Sequence, residues 1–307
     1  MEYLYLLIGF VLLLYGGHWL VKSASALAYR LKVSSLIIGL TVVSFGTSAP
    51  EFFVSAFASI SGHPKLVLGN VVGSNIANIA LVLALTSIIF PIQVHSNAVK
   101  IDAPVMLFVS LLLWIFMLDK VISPLDGIIF LLLLIAYTTG LFYLSRKKNK
   151  PSDHAVQMKV WKAISLFILA DIALAAGSKL LVDNASKIAI DLGVSERVVA
   201  ISLVALGTSL PELSTSMIAA FKKQIDISVG NIIGSNIFNI LGVIGFSSIL
   251  HPISVEEKFY KQDIFWMLAA ALMLFIFILP FSGGRITRVK GSVLFLIYVI
   301  YIYFLYI

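Results

Sequence analysis

Apolar stretches close to the length that crosses a bilayer, about 20 residues, recur ten times along the 307-residue chain. They predict spans near 3–21, 35–60, 66–90, 101–118, 125–145, 160–182, 196–221, 227–250, 262–282 and 289–307. No stretch between them is long enough for a soluble domain. The one hydrophilic connection of note, Arg146-Lys147-Lys148-Asn149-Lys150-Pro151-Ser152-Asp153-His154, is short and charged and reads as a linker over 146–159. The fold class predicted is an all-α membrane protein. The apolar segment after Met1-Glu2 lacks the basic flank of a signal peptide and reads as a retained helix.

Composition sharpens this picture without redirecting it. Hydrophobic residues make up 60% of the chain, above the range of soluble domains. The net charge of +7 comes from basic residues at predicted helix ends, the pattern that sets membrane orientation, and does not call for nucleic acid. Assigned alternately to two sides, the connections put 15 of the 22 Lys and Arg on the side of the 146–159 linker and 7 on the other. By the positive-inside rule the linker is cytoplasmic, both termini face outward, and the protein is a multi-pass cell-membrane protein. With no cysteine, disulfides and thiolate metal sites are excluded.

Slid against itself, the sequence matches at an offset of 161. TVVSFGTSAPE (41–51) falls on SLVALGTSLPE (202–212), and GNVVGSNIANI (69–79) on GNIIGSNIFNI (230–240). Composition alone would not align Gly, Thr, Ser, Pro, Glu and Asn in order. Five spans per half is an odd number, so the second half crosses in the opposite sense. The expectation is ten helices as two inverted five-helix repeats, 1–145 and 160–307, with motif regions 39–91 and 200–252.

The candidate chemistry lies in those motifs. Glu51 and Glu212 sit well inside apolar spans, where a carboxylate costs about 2.5–3.5 kcal/mol on insertion scales. Pro50 and Pro211 each remove a backbone donor, and Gly46 and Gly207 permit a bend, so both helices are predicted to break. Carbonyls near Ser44–Thr47 and Ala205–Thr208 then become oxygen ligands. Thr47 lies four residues before Glu51, and Thr208 four before Glu212, which puts each hydroxyl on its carboxylate's face. Ser48 and Ser209 stand beside them. In the second motif Asn70, Ser74 and Asn78 share one helix face, as do Asn231, Ser235 and Asn239. Ser74, Asn78, Ser235 and Asn239 are read as ion contacts; Asn70, Asn75, Asn231 and Asn236 stand between ion contact and interhelical glue. Gly69, Gly73, Gly230 and Gly234 would let another helix come close. Such an all-oxygen site suits a hard cation, and two carboxylates match the charge of Ca2+.

The paired GTSxPE and GSNxxN segments resemble the alpha repeats of the sodium/calcium exchanger family, prokaryotic type, within the cation/Ca2+ exchanger superfamily. The resemblance spans nearly the whole chain. It implies that spans 2, 3, 7 and 8 form an ion-binding core against which spans 1 and 6 slide. It further implies that Glu51 and Glu212 are carboxylates shared by Ca2+ and Na+, with Thr47, Thr208, Ser74 and Ser235 adding oxygens and Ser44 and Ala205 backbone carbonyls. Asn239 stands where some members, including the potassium-dependent branch, carry Asp, which weakens a case for K+ cotransport. The expected activity is exchange of Ca2+ for Na+, with a Ca2+/H+ antiporter as the alternative and a passive cation channel behind it. An enzyme finds no acid–base constellation to support it; no cofactor and no obligatory oligomer are expected, and the other partner is the lipid bilayer.

Three further features read as structural. Asp171 has Phe10 as its mate in the first half and is read as a contact to cavity water or a neighbouring helix. Asp102 and Asp263 match at the offset and are read as helix caps. The five histidines fall near predicted helix ends and read as solvated.

Overall fold

The computed structural model describes residues 1–63, 65–94, 98–146, 158–194 and 207–306. Eight of its helices are long and apolar enough to cross a membrane: α1 (Glu2–Leu31), α4 (Leu66–Ile89), α5 (Ala98–Phe116), α6 (Pro124–Leu144), α7 (Val160–Asp191), α9 (Ile225–Leu250), α10 (Phe259–Ile278) and α11 (Arg288–Leu305). A bent pair, α2 (Ser35–Thr47) and α3 (Ala49–Ile60), meets at 48° and makes a ninth candidate span, as predicted for 35–60. Of the predicted span 196–221, the first part lies outside the described residues; the remainder holds α8 (Leu210–Phe221). The 146–159 linker likewise falls almost wholly outside them.

Burial separates the helices into two kinds. In α4 and α9, 72% and 83% of the spanning window is buried, against 17–39% in the other six. The motif-bearing helices are therefore the centre of the bundle, and the rest present apolar side chains to lipid.

The 161-residue repeat governs backbone detail as well as sequence. Helix α1 ends at Lys32 in the left-handed region (φ 55°) and α7 at its counterpart Gly193 (φ 90°); Gly62 (φ 77°) and Lys223 (φ 60°) form a second such pair. A left-handed residue past the helix end turns the chain and satisfies last-turn carbonyls. Wide π turns also recur in register, at Asn78–Leu83 with Asn239–Ile244 and at Ala98–Asp102 with Phe259–Asp263.

Contacts between α1 and α7 map onto themselves under the same shift. A Cβ on Gly9 would lie 2.8 Å from the Gly177 carbonyl, one on Gly177 would lie 2.8 Å from the Gly9 carbonyl, and one on Gly16 would meet the Ala170 carbonyl at 3.2 Å. Gly9 and Ala170 are repeat mates, as are Gly16 and Gly177, so the crossing is reciprocal. Small residues let two backbones touch where lipid gives no hydrophobic reward for association. Both helices run about ten residues past their predicted ends at 21 and 182, because Ser23, Ala24 and Ala26, and Asn184 on the other, are buried helix surface instead of loop. His18, expected near an end, is consequently inside α1, where it is exposed.

Two short antiparallel ladders tie the halves together. Ile92–Gln93 (β1) pairs with Arg285–Ile286 (β4), and Val121–Ile122 (β2) with Ile253–Ser254 (β3). Each ladder joins loops that the alternating assignment places on one side.

The cap reading of Asp102 and Asp263 is corrected. Both lie in helical backbone at the join of a π turn and an α-helix, and neither caps with its side chain. Asp102 instead accepts a hydrogen bond of 2.9 Å from the Tyr137 hydroxyl of α6. Helical backbone is already under way four residues before each aspartate, because the π turn continues into the α-helix.

Candidate functional site

Ser48 (φ −89°, ψ 8°) leaves the helical region, and Pro50 follows as an early residue of α3, where its missing N–H costs nothing. Glu51 thus occupies the first turn of a new helix. Ser209 and Pro211 repeat the arrangement in front of Glu212 on α8. Each carboxylate is placed at a helix N-terminus, whose dipole favours negative charge.

The broken segments of the two halves face one another across α4 and α9. Glu51, Glu212, Ser48, Ser235, Asn78 and Asn239 have no solvent exposure, and Ser44, Thr47, Ser74 and Ser209 are buried. Thr208 is half-buried. The Ser48 hydroxyl donates to Glu212 Oε1 at 2.9 Å, a direct bond between the halves. Ser235 donates to the same oxygen at 3.5 Å, and Ser74 donates to Glu51 Oε1 at 3.5 Å. Thr47 and Ser235 hydroxyls lie 3.4 Å apart, as do those of Thr208 and Ser74, again reciprocal under the repeat. Thr47 also donates to Asn231 Oδ1 at 2.9 Å. Hydrogen-bond contacts thus link Ser48 and Ser235 with Glu212, Ser74 with Glu51, Thr47 with Ser235 and Thr208 with Ser74; Ala205 lies outside the described residues.

Several polar atoms at this centre are buried with no hydrogen-bond partner among the described residues: Glu51 Oε2, Glu212 Oε2, both side-chain atoms Asn78 Nδ2 and Oδ1, Asn239 Oδ1 and Ser209 Oγ. A buried orphan costs about 1–3 kcal/mol, and more when charged. Isolated orphans are rare in native interiors, and six of the eleven found among the described residues fall on residues of the two repeated motifs. Five of the six are oxygens, on two carboxylates, two amides and a hydroxyl, a hard-cation set. Among the described residues no three His, Cys, Asp or Glu side chains gather in one place.

The intermediate asparagines resolve as glue. Asn70 donates to the Glu51 carbonyl at 3.1 Å and to Ser55 at 2.9 Å, and its mate Asn231 donates to Ser216 at 3.1 Å. Asn75 donates to the Asn236 carbonyl at 3.3 Å and accepts from Asn239 at 3.1 Å, while Asn236 bonds back to Ile232. Sequence reasoning missed Ser55 and Ser216, although they match at the 161 offset.

Two expectations change. The Ser44 carbonyl is not freed: Ser48 N–H bonds to it at 3.0 Å, because proline withdraws the donor due to Gly46. At the matching Gly207 the carbonyl takes a hydroxyl instead, from Ser178 of α7. Of the four motif glycines, Gly230 and Gly234 do admit a backbone, the Leu36 carbonyl at 2.6 Å and the Leu40 carbonyl at 2.5 Å from where a Cβ would stand. Gly73 has no described atom within 4 Å of that position, and Gly69 only Phe259 at 3.8 Å. These two line a cavity of about 670 Å³ that reaches Ser74 and Thr208 and carries Glu256 and Asp263 farther out.

Comparison with known proteins adds an independent line. A family model described as sodium/calcium exchanger protein matches residues 1–143 and 162–307. The chain is 36% identical to a putative antiporter, CaxA, of Alkalimonas amylolytica, across 99% of this chain and 98% of that protein. It is 35% identical to the sodium/calcium exchanger MaX1 of Methanosarcina acetivorans, across 99% and 98%. A solved structure of the sodium-calcium exchanger NCX_Mj, soaked with zero Na+ and Ca2+, superposes with a TM-score of 0.85 at 35% identity, covering 99% of this chain and 98% of that one.

Proposed function

The chain belongs to the sodium/calcium exchanger family, and on that premise we propose that it carries Ca2+ against Na+ across the cell membrane by alternating access. The observation that carries this reading is the buried cluster in which Glu51 and Glu212 each keep an oxygen without a protein partner. Two ionised carboxylates neutralise one Ca2+, so a doubly charged ion offsets the desolvation that either glutamate suffers alone. The hydroxyls of Thr47, Ser48, Ser74, Thr208, Ser209 and Ser235 and the amides of Asn78 and Asn239 complete the oxygen shell.

Na+ takes the same oxygens, several ions replacing one, and competition for shared ligands makes transport an exchange. An empty pair of buried glutamates is too costly to occlude, so the protein switches sides only when loaded. The architecture is two inverted five-helix halves, 1–145 and 160–307, joined by the cytoplasmic linker 146–159, with both termini outside. Supporting it are the reciprocal Gly9–Gly177 crossing, the repeated π turns and the ladders between halves. Helix α7 touches both breaks, at Gly46 and Gly207, whereas α1 reaches α8 through Gly17, an asymmetry suited to one of two end states.

The test is 45Ca2+ uptake by proteoliposomes loaded with Na+, with K+, or with a proton gradient. Uptake driven by outward Na+ is expected. Uptake indifferent to Na+ and driven by a pH gradient would assign Ca2+/H+ exchange instead.

A further inference from the structure

Asp171 is unused by the mechanism above. It lies about 16 Å along α7 from Val160, within the depth of a bilayer's hydrocarbon core. Neither ion pair found among the described residues, Met1 with Glu2 or Glu257 with Lys261, involves it. Its Oδ1 is buried and accepts no hydrogen bond from a described residue. The residue as a whole is half-buried, and a carboxylate at that depth is stabilised by a positive partner or a proton.

Its location is specific. Both oxygens of Asp171 lie 2.7 Å from where a Cβ on Gly46 would stand, so the glycine at the break is what admits the carboxylate against the broken helix. Gly46 immediately precedes Thr47, and its carbonyl is the one whose helical donor Pro50 withdraws. At the matching break the same helix supplies a donor: Ser178, two turns on from Asp171, gives its hydroxyl to the Gly207 carbonyl. Thus α7 meets one break with a donor and the other with an acceptor, and the acceptor side carries an added negative charge. That asymmetry calls for a cation.

We propose that Asp171, at the Gly46 break, is a third carboxylate of the ion path and holds a monovalent hard cation beside the Glu51–Glu212 centre. The proposal rests on the exchange reading above. A single carboxylate balances a single charge, and backbone oxygens of the break complete such an ion's shell. Phe167, one turn before Asp171 and also packed on Gly46, screens the position on one side.

The test compares wild type with Asp171→Asn, which keeps the shape and removes the charge. In proteoliposomes the Na+ concentration giving half-maximal Ca2+ exchange rises at least fivefold, and the net charge moved per Ca2+ falls by one. Equilibrium 45Ca2+ binding in the absence of Na+ stays within twofold, and Asp171→Glu restores most of the Na+ affinity. A shift in stimulation by K+ in place of Na+ assigns K+ to the same position. Unchanged Na+ and K+ dependence overturns the proposal, as does a change confined to pH dependence, which would make Asp171 a proton carrier. If Asp171→Asn does not fold, Asp171→Ser carries the same comparison. Wild-type uptake with no Na+ dependence would instead remove the exchange reading itself, a separate outcome.

Discussion

Replacing Glu212 by Gln removes one charge from the centre and little else. Gln keeps an oxygen where Ser48 donates at 2.9 Å and Ser235 at 3.5 Å, so the bonds between halves survive. The amide takes the place of the oxygen that has no protein partner. Two unit charges about 4 Å apart at an effective dielectric near 20 interact by about 4 kcal/mol, and the doubled charge of Ca2+ raises that figure, before desolvation reduces it. A net loss of about 4 kcal/mol is about a thousandfold in affinity. Glu212→Gln should therefore bind Ca2+ about a thousand times more weakly while its ion-free form melts at or above the wild-type temperature, since an uncompensated buried charge is gone. Isothermal titration gives the first quantity, and thermal denaturation with and without Ca2+ gives both. At a concentration of 100 Kd a ligand adds about 2.7 kcal/mol of stability, which the variant should lack. Affinity within tenfold of wild type would refute the assignment of charge to this carboxylate.

Other substitutions separate structural from ligand roles. Ser48→Ala deletes the 2.9 Å donor to Glu212 and should destabilise the ion-free protein by about 1.5–3 kcal/mol, read by thermal melting; Ser209→Ala, whose hydroxyl has no partner, should stay within about 0.5 kcal/mol and weaken ion binding instead. Gly177→Ile places a side chain 2.8 Å from the Gly9 carbonyl, and should cost about 1–3 kcal/mol by melting and slow exchange by obstructing the α1–α7 contact. Tyr137→Phe removes the donor to buried Asp102 and should cost about 1.5–3 kcal/mol, with Asp102→Asn in the same background recovering part of it.

The hydrophobic pattern located the helices because lipid selects for apolar runs of one length. The repeat located the centre because both halves contribute the same residues in order. Less legible were features that depend on contact between distant segments. The last third of α1 and of α7 mixes Lys, Ser and other polar residues with Ala, a pattern that reads as loop in isolation although both segments are helical. Asp102 and Asp263 looked like caps because the π turns that extend their helices have no simple sequence mark. Gly69 and Gly230 are repeat mates with different surroundings, one facing a cavity and one a neighbouring backbone, a difference that identical motifs cannot encode. The place of Asp171 at the Gly46 break has no mark in the repeat, since its mate in the other half is Phe10.

In the exchange proposed above, Ca2+ and Na+ contend for Glu51 and Glu212. Equilibrium 45Ca2+ binding to purified protein, measured as Na+ is titrated in, addresses it directly. Complete displacement of Ca2+ is expected, with a Hill coefficient for Na+ above one, and no specific Ca2+ binding to displace in Glu51→Gln. Ca2+ binding that persists unchanged in saturating Na+ would contradict it.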